Sequence, residues 1–138
     1  MIYLAIPYSG MEELSFEISC MITAFLMKTG QVVYSPIVHG HTLASKCRLT
    51  AGHDFWLNQD LDMLRRCDEL YVVAMEGWDK SVGVLAEIRE AQKLEIPIKF
   101  VDPGVFIEKL NQRSRRDLRP RSSRDIILEQ RRRESRER

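Results

Sequence analysis

Short apolar runs alternate with amphipathic stretches along most of the chain. Four runs have the length and apolar content of buried strands, namely residues 1–7, 31–37, 70–75 and 96–101. Between them, apolar side chains recur every three or four residues, which predicts helices over residues 11–29, 54–67 and 81–94. A shorter helix is expected over residues 104–110, after Pro103. This alternation of strands and helices predicts a parallel sheet with helices on both of its faces.

The spacing also predicts the buried face of each helix. The expected inward positions of the first helix are Leu14, Ile18, Met21, Ile22 and Phe25, and those of the last long helix are Val84, Ile88, Ala91 and Leu94. In the middle helix, which Asp54 would cap, Asp60 is spaced to face the packed side. Residues 38–53 are polar and irregular, so they predict a loop of the length typical of a binding loop or lid.

One carboxylate is notable because it lies at the edge of an apolar helix face. Glu87 follows Val84 by three residues and precedes Ala91 by four, in the first turns of the helix after the third strand. The pattern fits a solvated glutamate that the helix dipole favours, and it also fits a dehydrated, functional carboxylate. Its place beyond the carboxyl end of a strand favours function, because open α/β sheets bind their ligands there.

The composition is that of an ordinary globular chain with room for one core. The 138 residues are 44% apolar and 30% charged, and no apolar run approaches the roughly 20 residues that span a bilayer, so we expect no membrane partner. The sequence opens in a strand without a signal-peptide pattern. Its cysteines are odd in number and widely spaced, which predicts reduced thiols in a cytoplasmic protein.

Charge divides the chain in two. Residues 1–110 carry ten basic and fifteen acidic side chains, a net charge of −5. Residues 111–138 carry eleven arginines and five acidic side chains, a net charge of +6. We therefore predict an acidic α/β domain at residues 1–110 and an arginine-rich tail at residues 111–138. The tail is expected to be helical or disordered, with Ile126, Ile127 and Leu128 as its one apolar docking segment.

Three segments of the sequence resemble the nucleoside 2-deoxyribosyltransferase superfamily, namely IYLAIPYSG, DLDMLRRCDELYVVA and SVGVLAEIREAQ. The likeness is closest to the 2′-deoxynucleoside 5′-phosphate N-hydrolases, to related nucleotide N-glycosidases and to small relatives that share VYSPIVHGH and GWDKSVGV. It covers most of residues 1–102. It implies a single-domain flavodoxin- or Rossmann-like three-layer sandwich, whose mostly parallel sheet has four or five strands. It also implies a homodimer or a higher homo-oligomer.

The resemblance implies three catalytic residues. Glu87 would be the nucleophile, Asp60 the acid near the leaving base, and Tyr3 the hydroxyl that orients Glu87. A carboxylate beneath C1′ can stabilise or trap the oxocarbenium-like state of N-glycosidic cleavage, and a nearby acid eases departure of the base. The implied reaction is hydrolysis of the N-glycosidic bond of a (deoxy)nucleoside 5′-monophosphate by an enzyme without a cofactor. Its products are free base and (deoxy)ribose 5-phosphate.

A serine before the last long helix distinguishes the subfamilies. By resemblance, Ser81 matches a serine that holds a 5′-phosphate in the hydrolases and an aspartate that holds a 5′-hydroxyl in the transferases. A serine at a helix N-terminus can donate to a phosphate beside free backbone N–H groups, and Gly83 belongs to the same candidate binding segment. Lys80 adds positive charge. Ser81 also fits a plain N-cap.

The turn after the first strand resembles a second phosphate-contacting loop. Ser9 and Gly10 match that loop, although both also fit an ordinary turn. The hydrolases carry an arginine there, whereas the corresponding PYSGMEE has none. Glu12 and Glu13 stand close instead, and their charge disfavours tight phosphate binding.

Histidine and tryptophan side chains supply candidates for contact with the base. His39 follows the second strand, where the family places base-reading residues. Trp78 and Trp56 are candidates to stack on a base, although both also fit the core or a lid. His39, His41 and His53 match no metal-ligand spacing, so no metal site is expected.

Other functions remain open. Exchange of bases by a deoxyribosyltransferase is a close variant of the hydrolase, and a non-catalytic nucleotide-binding or sensing domain would use the same crevice. The arginine-rich tail would suit a nucleic-acid phosphate backbone. Its interspersed acidic residues and the absence of aromatic residues after Phe106 argue against that partner, although the tail leaves the alternative open.

Overall fold

The structure, a computed structural model, describes residues 1–117 and residues 124, 127, 128 and 132. Its elements in sequence order are β1 (Ile2–Ala5), α1 (Glu12–Lys28), β2 (Val33–Tyr34), α2 (Pro36–Cys47), α3 (His53–Leu64), β3 (Glu69–Val73), a 3-10 turn (Trp78–Lys80), α4 (Val82–Lys93), β4 (Ile98–Val101) and α5 (Gly104–Asp117).

The four strands form one parallel sheet in the order β2-β1-β3-β4. β1 is internal, with Ile2 opposite Val33 of β2 on one side and opposite Glu69 of β3 on the other. The chain moves from β1 outward to β2 and then crosses back to β3 and β4. The strand order therefore reverses between β1 and β3, where doubly wound sheets bind ligands. The predicted single-domain, Rossmann-like α/β fold is confirmed.

The core lies where the central strands meet the helices. All four residues of β1 are buried, as expected for an internal parallel strand that is covered on both faces. The principal cluster of buried residues joins the two central strands to α3 and α4 and comprises Tyr3, Ala5, Leu64, Cys67, Leu70, Val72, Val84 and Ala91.

The prediction of a loop over residues 38–53 is wrong, because α2 occupies most of that stretch. The hydroxyl of Ser35 accepts a hydrogen bond from the N–H of Val38 at 3.2 Å, and Pro36 occupies the first turn, so the helix has a standard start. Gly40 lies inside the helix against Trp56, where a Cβ would be 3.3 Å from the indole ring. The glycine that suggested a loop is thus a point of close helix packing.

Parts of the predicted helix faces are also wrong. Leu14 and Phe25 of α1 are 40% and 51% exposed, and Leu94 at the end of α4 is 43% exposed. Ser15 and Ser19 take inward positions of α1 instead. The hydroxyl of Ser15 donates to the carbonyl of Pro7 at 2.5 Å, which fixes α1 to the segment after β1.

Other element boundaries differ from the predictions by smaller amounts. Gly52, not Asp54, is the N-cap residue of α3, and Asp54 falls in its first turn. β2 contains only Val33 and Tyr34, since Pro36 cannot donate to a ladder and begins a helix. α5 continues to Asp117, beyond the predicted end at residue 110.

The chain divides into two compact units, Met1–Ile107 and Glu108–Arg138. In the second unit the described residues are helical and those beyond Asp117 are exposed. Of the apolar segment in the tail, Ile127 and Leu128 are exposed and Ile126 lies outside the described residues. Among the helices of the described part, none has the length and apolar content needed to cross a bilayer.

Candidate active site

A cavity of about 760 Å³ lies at the carboxyl ends of β1 and β3. The segments that follow these two strands line it, together with residues of α2, α3 and α4. This is the crevice that the reversal of strand order creates. The cavity brings together several residues singled out in the sequence, namely Ser9, His41, His53, Trp56, Asp60, Lys80, Ser81, Gly83 and Glu87.

Glu87 contributes a buried carboxyl group to this cavity. The residue is 6% exposed on the inward face of α4, beside the buried Val84 and Ala91. The hydroxyl of Tyr3, which is fully buried in β1, donates to Oε1 of Glu87 at 2.7 Å. Oε1 therefore has a fixed partner, which orients the carboxyl group relative to the cavity. The catalytic role of both residues stays a prediction.

Three influences of different sign act on the pKa of Glu87. Burial raises the pKa from 4.5 to about 8, the hydrogen bond from Tyr3 opposes the rise, and the charge of Asp60 adds to it. Burial, together with Glu87 and Asp60, also raises the pKa of Tyr3 well above 10, so Tyr3 stays a neutral hydroxyl donor. Removal from water is thus the dominant influence on Glu87.

Asp60 is a second carboxyl group with a raised pKa in the same cavity. It lies on α3, half-buried on the packed side, whereas Asp62 is exposed. Burial raises the pKa of Asp60 from 3.8 to about 6. Because Glu87 titrates near pH 8, the pair carries one proton between about pH 6 and 8. Two such carboxyl groups can supply an acid and a nucleophile or base at neutral pH.

The N-terminus of α4 supplies polar groups to the cavity. The hydroxyl of Ser81 caps the helix by accepting from the N–H of Val84 at 3.3 Å, so its hydrogen can donate to a ligand. Gly83 lies in the first turn, where helical N–H groups lack intrahelical acceptors and attract anions. Lys80 and Ser9 also line the cavity and would add a cation and a hydroxyl.

Three residues that the sequence predicted to bind substrate do not line the cavity. The N–H of Gly10 donates to the carboxylate of Glu12 at 3.1 Å instead. His39 is exposed, with its ring 6.0 Å from that of Tyr34. Trp78 packs beside the core cluster, with its ring 4.9 Å from that of Phe100. The structure therefore gives no support to a binding role for these three residues.

A family model described as Domain of unknown function (DUF1937) matches residues 1–102. The chain belongs to this family. No curated protein matches the chain in sequence. In the part of the chain that the structure describes, the residues that line the cavity lie between Ile6 and Glu87, within the region that the family model matches.

The structure adds a hydrogen-bonded group that sequence reasoning missed. The hydroxyl of Tyr8 lies 2.7 Å from Nδ1 of His41, and Nε2 of His41 lies 3.4 Å from Oε1 of Glu13. Tyr8 and His41 both line the cavity of the DUF1937 domain, as do His53 and Trp56. The Ser-Pro dipeptide before α2 was the available signal, since a helix there would have predicted which residues share a face.

The described residues offer no obvious metal site. Within residues 1–117 and the four described positions beyond them, no three His, Cys, Asp or Glu side chains are grouped so that they could hold a metal ion. His41 and His53 share the cavity, but His41 is engaged by Tyr8 and Glu13.

Proposed function

We propose that the protein hydrolyses the N-glycosidic bond of a (deoxy)nucleoside 5′-monophosphate, releasing free base and (deoxy)ribose 5-phosphate. The observation that carries this proposal is the buried hydrogen bond from Tyr3 to Glu87, in a cavity that Asp60 also lines. Two dehydrated carboxyl groups with different pKa values are typical of acid–base and nucleophilic sites. The resemblance of the surrounding segments to nucleotide N-glycosidases supports the same assignment.

The first step breaks the bond between the sugar and the base. Tyr3 holds Oε1 of Glu87, so Oε2 is the oxygen that attacks C1′ of the sugar. The C1′–N bond breaks, its electron pair stays on the base, and the carboxylic acid of Asp60 gives its proton to that base. A glycosyl ester of Glu87 results, by analogy with retaining glycosidases.

The second step regenerates the protein. Asp60, now a carboxylate, takes a proton from a water molecule whose oxygen attacks C1′. The bond between C1′ and Glu87 breaks, and its electron pair returns to the carboxylate of Glu87. The sugar phosphate leaves with a hydroxyl at C1′, and Asp60 holds the proton needed for the next cycle.

Reaction requires a particular placement of the one proton that the pair holds at neutral pH. In the free protein this proton favours Glu87, the more buried group, whereas attack requires an ionised Glu87 and a protonated Asp60. The hydrogen bond from Tyr3 stabilises the carboxylate of Glu87 and so eases the redistribution. Positive charge that develops on the sugar favours the same state.

The polar groups at the N-terminus of α4 suit the 5′-phosphate. The hydroxyl of Ser81, the first-turn N–H groups and Lys80 would together bind a phosphate group in the cavity. Two acidic side chains follow the turn after β1, and each has a partner within the protein. Glu12 accepts a hydrogen bond from the N–H of Gly10, and Glu13 lies near His41. A hydrogen bond does not remove the charge of a carboxylate, so Lys80 and the first-turn N–H groups would have to offset the repulsion expected from the sequence.

A panel of ribo- and deoxynucleoside 5′-monophosphates tests the proposal. Each compound is incubated with the protein and the free base is quantified by chromatography, with the matching nucleosides as controls. We expect base release from at least one monophosphate and little from its nucleoside. A product that forms only when a second base is added would identify a transferase. Nucleotide binding without any base release would identify a binding domain and contradict the proposal.

A further inference from the structure

Tyr8 is held in one position by contacts from three parts of the fold. Its carbonyl accepts from the N–H of Met11 at 3.1 Å, which closes the turn after β1. The preceding Pro7 is fixed by Ser15 of α1. On the side-chain end, the hydroxyl meets Nδ1 of His41 in α2 at 2.7 Å. Tyr8 is therefore a fixed residue of the cavity wall, and its phenol oxygen is held at Nδ1 of His41.

The ring of His41 is also fixed. It stacks on Phe16 with ring centres 4.3 Å apart and an angle of 21° between planes, and its side chain is only 12% exposed. Nδ1 faces Tyr8, and Nε2 lies 3.4 Å from the carboxylate of Glu13. The ring consequently presents one nitrogen to a hydroxyl and the other to a carboxylate.

The carboxylate of Glu13 selects the tautomer of a neutral His41. A carboxylate only accepts hydrogen bonds, and a bare nitrogen lone pair at this distance from it would be repelled. In the neutral ring the hydrogen would therefore reside on Nε2 and Nδ1 would be the acceptor. Tyr8 is the neutral phenol, since burial, Glu12 and Glu13 raise its pKa above 10. Its single O–H hydrogen is directed to Nδ1 of His41.

We infer that Tyr8 is a specificity residue that accepts a hydrogen bond from the ligand. Glu13 sets the tautomer of His41, and His41 takes the hydroxyl hydrogen of Tyr8. Because the hydroxyl hydrogen is given to His41, the phenol oxygen presents lone pairs to the cavity. A ligand group that meets Tyr8 must then be a donor. The inference rests on the proposed function for the class of ligand, and in a nucleotide the donor is an amino group or a ring N–H of the base, or a hydroxyl of the sugar.

The experiment measures binding, so that it does not depend on catalysis. Isothermal titrations use the Glu87→Gln protein, in which turnover is blocked, and the same protein with Tyr8→Phe added. The probes are AMP against IMP and CMP against UMP, which exchange a base amino group for a carbonyl and turn the neighbouring ring nitrogen from an acceptor into an N–H donor. The 2′-deoxy form of each probe tests the sugar hydroxyl. Tyr71→Phe is the matched control, because Tyr71 lies on β3 under Lys99 and does not line the cavity.

We expect the Glu87→Gln protein to prefer the donor-bearing member of one comparison by roughly two- to tenfold, the range for a single neutral hydrogen bond. Tyr8→Phe should abolish that preference and Tyr71→Phe should keep it. Glu13→Gln should weaken it, because the side chain of Glu13 is 84% exposed and its change removes only the charge that selects the tautomer. The preference that disappears, and its direction, identify the donor as a base amino group (AMP or CMP preferred), a base ring N–H (IMP or UMP preferred) or a sugar hydroxyl (ribose form preferred).

Three results would overturn the inference. These are unchanged preferences in Tyr8→Phe, no preference between the members of any comparison, and no binding of any probe. Failure of the proposed function looks different, because the wild-type protein would then release no base while the binding preferences and their loss in Tyr8→Phe would persist.

Discussion

The carboxyl group of Glu87 is subject to two effects of unequal size. The hydrogen bond from Tyr3 favours the carboxylate, yet the pKa rises to about 8, so the loss of hydration outweighs the bond. A carboxyl group whose pKa is raised on folding lowers the free energy of unfolding at pH values above its unfolded pKa. Its position in a cavity supports the proposed functional role, because perturbed pKa values cluster at functional sites.

Replacing Glu87 with glutamine should stabilise the fold in a pH-dependent way. The carboxyl group loses its proton near pH 4.5 when unfolded and near pH 8 when folded. The folded state binds more protons between these values, so stability falls as pH rises through this window. Glu87→Gln should have little effect below pH 4.5 and should raise the free energy of unfolding by about 3 to 5 kcal/mol above pH 8.

Chemical denaturation at several pH values measures this difference. Glu90→Gln is the control, since Glu90 lies on the same helix but pairs with Arg65 at 2.8 Å and does not line the cavity. A stability difference for Glu87→Gln that does not grow with pH would contradict the assigned burial effect.

The rate of base release should have a bell-shaped pH dependence. Below about pH 6 both carboxyl groups are protonated and no nucleophile is present, whereas above about pH 8 both are ionised and no acid is present. The values of kcat/KM should therefore be maximal near neutral pH. In Asp60→Asn the loss of the acid should lower kcat by about a hundredfold or more and remove the alkaline decline that deprotonation of the acid produces. A profile that Asp60→Asn leaves unchanged would exclude Asp60 from the reaction.

At the scale of single residues, the sequence predicted the parts of the site that follow from strand ends and helix spacing. The spacing of Glu87 from Val84 and Ala91 fitted both a solvated and a buried carboxyl group, and its place beyond a strand end favoured a functional role, whereas Asp60 was placed on the packed side of its helix by spacing alone. The contact between Tyr8 and His41 spans 33 residues and depends on how α2 packs against the turn after β1. Spacing along one element carries no information about such a contact.

At the scale of elements, two helices begin with the same serine cap but face different surroundings. Ser81 caps α4 and lines the cavity, whereas Ser35 caps α2, is 5% exposed and does not line it. Both hydroxyls accept from an N–H three residues later. The pair separates the contribution of a cap to stability from its contribution to ligand binding.

Substitutions of Ser81 should change the choice between monophosphate and nucleoside. Ser81→Ala and Ser35→Ala should each lower the free energy of unfolding by about 1 kcal/mol, since each removes an N-cap. Only Ser81→Ala should raise KM for the monophosphate. Ser81→Asp keeps a capping side chain but places a negative charge at the proposed phosphate site, so it should disfavour the monophosphate relative to the nucleoside. Equal effects of Ser81→Ala and Ser35→Ala on KM would place the phosphate elsewhere.

α2 was missed although Ser35 and Pro36, the residues that begin it, form a recognisable helix start in the sequence. Gly40 and the neighbouring histidines resemble a loop, because glycine is unfavourable inside an isolated helix. Here the absence of a Cβ lets Trp56 of α3 approach α2 closely, and this tertiary contact outweighs the local preference. The strands β1 and β3 were predictable because buried parallel strands are apolar throughout.

At the scale of the whole molecule, the family match and the site coincide. The match covers residues 1–102, the first compact unit is Met1–Ile107, and the cavity is lined by residues between Ile6 and Glu87. The acidic part of the sequence ends at residue 110, close to the end of the first compact unit. The proposed chemistry therefore belongs to the first unit.

Truncation after Asp117 should leave catalysis intact. We expect kcat/KM for base release to stay within about twofold of the full chain, because none of the four described residues beyond Asp117 lines the cavity and changes at a chain terminus are usually tolerated. Measurement of base release by both proteins under the same conditions checks this. A large loss of kcat/KM in a folded truncated protein would show that the tail takes part in the reaction.

Base release by the wild-type, Glu87→Gln and Glu90→Gln proteins, measured side by side with the best monophosphate of the panel, tests the central claim most directly. We predict that Glu87→Gln, folded and at least as stable as the wild type, loses about a thousandfold or more of the rate, because the nucleophile is gone. Glu90→Gln should retain the wild-type rate. If Glu87→Gln releases base as fast as the wild type, Glu87 is not the nucleophile and the account is wrong.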